Sequence, residues 1–189
     1  SDGSEELITI IRDEIHIDSV STFAPGGGGK LLDSEGEEAT DIAYIHILSF
    51  TRRTPDELQV AIDAAEERGA AGILLDVRSN PGGLLVETTQ IADMFLDDGV
   101  IVTEVDRDGN EQTASARPGQ STLLPIVVLQ DEFSASGSEL LAAALQENGR
   151  ATIIGTPSFG KGTVNHVREL SNGGAVYISI ARWLTPDRN

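Results

Sequence analysis

The sequence predicts an α/β fold with a largely parallel sheet. Three observations carry this. Predicted strands alternate with predicted helices from Ile42 onward. Two short apolar runs, Ala71 to Val77 and Pro125 to Leu129, have the near-continuous hydrophobicity of strands covered on both faces. Helix-spaced segments follow each of these runs, as crossover connections between parallel strands require.

Taken in order, Leu7 to Ile17 reads as a strand through the partial alternation of Ile8, Ile10, Ile15 and Ile17. Pro25 and Gly26 to Gly29 form a loop, and polar Asp33 to Thr40 forms another. Ile42 to Phe50 reads as a strand. Thr54-Pro55-Asp56-Glu57 is a helix start, with Thr54 as cap, Pro55 in the first turn and Glu57 completing a capping box. That helix runs to about Arg68, where Gly69 supplies a left-handed stop. Asn80-Pro81-Gly82-Gly83 is a sharp turn, and Leu84 to Leu96 has helical apolar spacing. Val100 to Val105 and Gln112 to Ala116 form a hairpin around Asp108-Gly109. Ser136 to Glu147 is a helix stopped by Gly149, and Ala151 to Ile154 is a strand. A second hairpin pairs Val164 to Leu170 with Ala175 to Leu184 across Asn172-Gly173-Gly174.

Composition narrows the function. The 189 residues suit one domain or a domain with a short appendage. The formal charge is −18, which repels phosphate backbones and disfavours a nucleic-acid partner. Residues 1–41 hold eleven acidic side chains against Arg12 and Lys30. Absent cysteine excludes disulfides, thiolate metal sites and a cysteine nucleophile. His16, His46 and His166 show no metal-ligand spacing. No apolar run is long enough to span a bilayer, and no leader is visible at the start. Only two of the 13 basic residues are lysines, Lys30 and Lys161, so each position is worth examining.

Three segments could carry chemistry. Ser134-Ala135-Ser136-Gly137-Ser138-Glu139 joins a buried strand to a helix, placing Ser136 beside free N–H groups that could hold an oxyanion. Ser136 and Glu139 also make an ordinary capping box. Phe159-Gly160-Lys161-Gly162 confines a lysine between glycines. A lysine kept from water gives up its proton more readily, although a solvated turn would have the same sequence. Asp76 to Gly83 ends a buried strand in a glycine pair, either a ligand-facing set of N–H groups or a plain strand-to-helix turn. Gly26 to Lys30 fails as a phosphate loop, since Leu31 stands where Ser or Thr should be. His166, in an alternating strand, has no context that marks it as a catalytic base.

Together these segments resemble the C-terminal processing peptidases, also called tail-specific proteases. Ala43 to Phe50 is similar to that family's first core strand. Asp76 to Gly83 matches its Asp-x-Arg-x-Asn-Pro-Gly-Gly signature, Ser134 to Glu139 its nucleophile segment, and Phe159 to Gly162 its base motif. The separation of Ser136 and Lys161, 161 − 136 = 25 residues, is the family spacing and selects Ser136 over Ser134 and Ser138.

The resemblance implies a crotonase/ClpP-like catalytic core over residues 42–189, with mainly parallel strands plus hairpins. Residues 1–41 would be a connecting strand and Gly-rich loop after a PDZ domain that this sequence lacks. It implies a serine endopeptidase using a Ser136–Lys161 dyad, with Gly137 and either Gly82 or Gly83 as oxyanion donors and no cofactor. The substrate would be an unfolded or flexible polypeptide, and the setting extracytoplasmic, such as a bacterial envelope. Asn165 stands where the family has a lysine-orienting Gln, Gly137 where it has Ala, and Glu147 where it often has Asp. Two alternatives accompany this reading: a non-catalytic module binding a small apolar ligand or peptide, and an acyl-thioester enzyme of crotonase type.

Overall fold

A computed structural model describes residues 17–24 and 29–189. The strand expected over Leu7 to Ile17 falls outside these residues apart from Ile17, as does the loop of Pro25 to Gly28.

Two sheets organise the chain. The first has the order β1-β2-β3-β6-β7, built from Val20–Ser21, Ile42–Ile47, Gly72–Asp76, Ile126–Gln130 and Ala151–Gly155. Four of these run parallel, in the registers Ile42↔Gly72, Ile73↔Ile126 and Ile126↔Ala151, and β1 joins antiparallel to β2. The second sheet is antiparallel with the order β5-β4-β9-β8, from Glu111–Ser115, Val100–Asp106, Ala175–Leu184 and Thr163–Glu169. Both expected hairpins are present, but their union was not legible in the sequence. It rests on β4 pairing with β9 across nearly the whole later chain, Thr103↔Leu184 to Asp106↔Ala181. Such non-local pairing leaves no local signature.

The helices are α1 (Thr54–Glu67), α2 (Leu85–Phe95) and α3 (Gly137–Glu147). Each buries an apolar stripe: Leu58, Ala61, Ile62 and Ala65 from α1; Ile91, Ala92 and Phe95 from α2; Leu140, Leu141, Ala144 and Leu145 from α3. These pack with Ile45, Ile47, Ile73, Leu75 and Val128 of the parallel strands into one core. Gly69 and Gly149 follow α1 and α3 at φ +73° and +68°, the left-handed stops that the sequence predicts.

The capping box expected at α1 does not form. The helix already includes Thr54, and its N-cap is Arg53. Thr54 Oγ1 turns back to accept the Thr51 N–H (2.8 Å). The Glu57 carboxylate is taken by the chain entering β1, accepting from Ser19 N (2.7 Å), Ser19 Oγ (2.7 Å) and Val20 N (3.1 Å). Three donors from one loop outcompete the single N-cap amide for that carboxylate.

Because β2, β3, β6 and β7 are parallel, their following loops all leave at one edge. These are Leu48 to Phe50, Val77 to Leu84, Asp131 to Ser136 and Thr156 to Gly162. Ligand sites of open parallel sheets lie at this carboxyl edge. All three chemistry-bearing segments of the sequence therefore meet there.

Candidate active site

The turn after β3 begins on an ion pair between a buried Asp76 carboxylate and a partly exposed Arg78. Asp76, 1% exposed, receives Nε and Nη2 of Arg78 (2.9 and 2.5 Å), the Arg78 N–H (2.9 Å) and the Tyr44 hydroxyl (2.7 Å). Burial opposes ionisation of Asp76, but the Arg78 donors and the Tyr44 hydroxyl outweigh it and hold the carboxyl below its usual range. Burial, reinforced by the neighbouring carboxylate, pushes the Tyr44 phenol well above its usual value. Opposite signs of stability follow. The depressed Asp76 contributes stability above the unfolded carboxylate pKa of about 4, lost as pH falls through the folded value. The raised Tyr44 contributes below about pH 10, lost as pH rises beyond it. Tyr44→Phe should cost about 1–2 kcal/mol at neutral pH and flatten the alkaline limb of a denaturation-midpoint profile. An unchanged alkaline limb would show that this hydroxyl is not coupled to folding.

Beyond this pair, Ser79 adopts φ +57° and Gly82 φ +101°. Asn80, fully buried, fastens the turn. Its Nδ2 donates to Ile47 O (2.8 Å), and its Oδ1 accepts the Gly82 N–H (2.8 Å). Its own carbonyl accepts the Ala135 N–H (3.0 Å) and the Ser138 hydroxyl (2.9 Å) from the segment around Ser136. Phe50 bridges to Gly83, donating to Gly82 O (3.2 Å) and accepting from Leu84 N (2.9 Å).

Ser136 sits directly before α3 with φ +53° and ψ −111°, a strained conformation for a non-glycine residue. Such strain on a strand-to-helix elbow presents a serine hydroxyl away from the sheet. Gly137 is fitted rather than loose. A Cβ there would lie 2.6 Å from Thr88 Oγ1 and 2.9 Å from the Phe50 ring. Larger neighbours fill the space that an alanine would need.

Glu139 joins the Ser136 turn to the lysine loop. Only 8% exposed, it accepts the Ser136 N–H (2.7 Å), one limb of the capping box. It also accepts Lys161 N (2.9 Å), Gly160 N (2.6 Å) and the Ser158 hydroxyl (2.8 Å). Capping and site assembly, alternatives at the level of sequence, are thus the same contact. The loop is further held by Phe159 N on Ser134 O (3.0 Å) and by the Trp183 indole N–H on Lys161 O (3.0 Å).

Ser136, Gly137, Gly83, Lys161 and Asn165 line one pocket of ≈ 170 Å³. Leu84, Leu85, Leu140, Val164, Tyr177 and Trp183 supply the apolar part of a wall that is otherwise polar. Gly82 lies behind this lining, against Ala135, Ser136 and Gly137. Lys161 Nζ is 3.4 Å from the Tyr177 hydroxyl and 5.8 Å from that ring's centroid, and no hydrogen bond joins it to Ser136 Oγ. Asn165 does not contact Lys161 through a hydrogen bond. Its Oδ1 accepts the Ser179 hydroxyl (2.6 Å) and its Nδ2 reaches Thr163 Oγ1 (3.4 Å). His166, exposed on β8 opposite Ile178, takes no part in the pocket. Among the described residues no group of His, Asp or Glu side chains could hold a metal ion.

Comparison with known proteins places the chain in a family. The model of peptidase family S41 matches residues 41–189. The chain belongs to peptidase family S41. This S41 chain is 38% identical over 148 residues to the carboxy-terminal processing protease CtpA of Bacillus subtilis, covering 78% of this chain and 32% of that protein. It is 39% identical over 148 residues to a carboxyl-terminal-processing protease of Synechocystis, covering 78% and 35%. The solved photosystem II D1 C-terminal processing protease superposes with a TM-score of 0.75 at 30% identity, over 93% of this chain and 46% of that one. The chain thus spans about a third of the length of the curated relatives it matches. Family membership and the crotonase/ClpP-like α/β fold stand as the sequence predicts.

The sequence did not reveal the roles of Asn80, Asp131, Glu139, Tyr177 and Trp183. Glu139 was visible as a capping residue, and Asn80 as a motif position. Nothing local to Tyr177 or Trp183 announces that β9 brings them to Lys161.

Proposed function

We propose that this S41 domain is a serine endopeptidase that cleaves unfolded or flexible polypeptide segments, near protein C-termini, through Ser136 and Lys161. The observation that carries this is their convergence on one small pocket, with Ser136 held in a strained elbow at a helix N-terminus. Lys161 Nζ swings from Tyr177 to Ser136 Oγ and takes its proton as the oxygen bonds to the peptide carbonyl carbon. The oxyanion falls between the Gly137 N–H and the Gly83 N–H. Gly83 is favoured over Gly82 because the Gly82 N–H is already committed to Asn80 Oδ1. The C–N bond breaks as Lys161 returns the proton to the leaving amine. Water, deprotonated by Lys161, then releases the acyl group. Lys161 handles every proton in this scheme, so it calls for no cofactor. Asn165 shapes the pocket wall through Ser179 instead of holding the lysine.

Residues 42–189 form the catalytic core in this reading, and residues 1–41 an acidic connecting segment. The relatives' processing roles suggest an extracytoplasmic setting. Among the described residues no helix is long and apolar enough to cross a membrane. A second reading, a non-catalytic module binding an apolar ligand or peptide, draws on Lys161 resting against Tyr177 in place of Ser136. Incubation with an unstructured polypeptide such as reduced, alkylated casein separates the two. Wild type should produce fragments and a covalent acyl adduct on Ser136, and Ser136→Ala neither. Peptide binding by both proteins with no fragments and no adduct would favour the binding module.

A further inference from the structure

We propose that Asp131 is a positioning residue that keeps the oxyanion turn in register with the nucleophile turn. The inference rests on the protease reading above. The two turns come from different strands, Ser79 to Gly83 after β3 and Asp131 to Ser136 after β6. Their alignment decides whether the Gly83 N–H and Ser136 Oγ can address the same carbonyl. Asp131 is the residue at which the second turn leaves its strand, and its carboxylate reaches across to the first.

Asp131 Oδ1 accepts the Ser79 N–H (2.9 Å), and Oδ2 accepts the Ser79 hydroxyl (3.3 Å). Oδ1 also accepts Phe133 N (3.1 Å) and Ser134 N (3.0 Å) within its own turn. Ser134, fully buried, gives its one hydroxyl proton to Val77 O (2.8 Å) and accepts the Asp131 N–H (3.0 Å). A closed circuit results: Asp131 to Ser79, along the chain to Val77, across to Ser134, and back to Asp131. Ser79 is held at φ +57°, where a non-glycine residue stays only if its surroundings determine it. Three residues separate Ser79 from Gly83, and one separates Ser134 from Ser136. A shift at the circuit is therefore passed to both catalytic ends with little chain to absorb it.

Asp131 is absent from the pocket lining, so it acts through the turns and not on the substrate. Asn80 and Glu139 share the fastening of the site, but Asp131 is the acidic side chain that binds Ser79. Its charge strengthens each of those bonds, since hydrogen bonds to an ionised acceptor are stronger than those to a neutral one.

The test uses the full chain with Asp131→Ala and the milder Asp131→Asn, whose remaining amide oxygen can still accept the Ser79 N–H. On an unstructured polypeptide, Asp131→Ala should lower kcat by about 10- to 100-fold with KM within about twofold of wild type. Asp131→Asn should fall between the two. Affinity for a peptide aldehyde, which mimics the tetrahedral adduct on Ser136, should drop in parallel with kcat, while affinity for a cleaved product peptide stays unchanged. A general loss of structure would not separate those ligands. Amide hydrogen exchange over residues 79–83 and 134–137 supplies a readout independent of catalysis, expected to quicken by about tenfold in Asp131→Ala. Unchanged exchange there, or wild-type kcat in Asp131→Ala while Ser136→Ala is inactive, would overturn the proposal. Quickened exchange in Asp131→Ala, together with a wild-type chain that never cleaves, would uphold the positioning role and count against the protease reading alone.

Discussion

Lys161→Ala and Lys161→Arg are each expected to lower kcat by about 10²- to 10⁴-fold, the range that a general base contributes. The pair of substitutions separates two roles. A lysine acting as a fixed positive charge would be replaced tolerably by arginine. Arginine remains protonated in proteins and has no lone pair with which to take the Ser136 proton. Equal losses in both variants therefore identify Lys161 as a base, and a wild-type rate in Lys161→Arg would remove it from that role. Neither change should disturb folding. The bonds anchoring residue 161 run through its N–H to Glu139 and its carbonyl to Trp183, and the side chain is only partly buried. Melting of both variants should stay within about 0.5 kcal/mol of wild type.

Gly82→Ala is expected to damage stability and activity together. Its backbone sits at φ +101°, a region that an L residue enters at a cost of about 1–3 kcal/mol. The added Cβ would also lie 2.8 Å from Ala135 O, 2.8 Å from Ser136 Cβ and 2.9 Å from Gly137 N. Two of those three atoms are backbone and none is the end of a flexible side chain. Relief must come from parting the turns, adding about 1–3 kcal/mol of overpacking cost. Since the parting moves Ser136 relative to Gly83, kcat should fall about 100-fold or more in the fraction that remains folded. Gly109→Ala is the control. That residue lies at the β4–β5 hairpin tip with φ +85° and no atom near the built Cβ. It should show the conformational cost alone, with cleavage unchanged. Equal activity of Gly82→Ala and Gly109→Ala would mean that the close approach of the two turns is irrelevant to catalysis.

Element identity was legible wherever a local pattern sufficed. The runs at β3 and β6 are apolar because both faces are covered, and Gly69 and Gly149 mark helix ends because only glycine enters the left-handed region cheaply. The α1 cap misled for a comparable reason: Thr54 and Glu57 have the right types and spacing, but Ser19 and Val20 bring stronger competition from 35 to 38 residues away. Asn165 shows the same limit at the site. It stands where the family has a lysine-orienting Gln, but the β8 register sets it opposite Ser179, whose hydroxyl donates to its oxygen.

The sequence by itself determined the parallel sheet, its helices, the family and the segments that bear Ser136, Lys161 and the glycine pair. These are matters of short-range pattern: apolar periodicity, turn chemistry and ordered motifs whose spacing can be counted. Only the tertiary structure decided how those segments are held together. Asp131, Asn80 and Glu139 fasten three loops that are neighbours because four strands run the same way, and β9 delivers Tyr177 and Trp183 from the end of the chain. A carboxylate's preference among donors depends on which of them the fold brings within about 3 Å, and no stretch of sequence contains that distance.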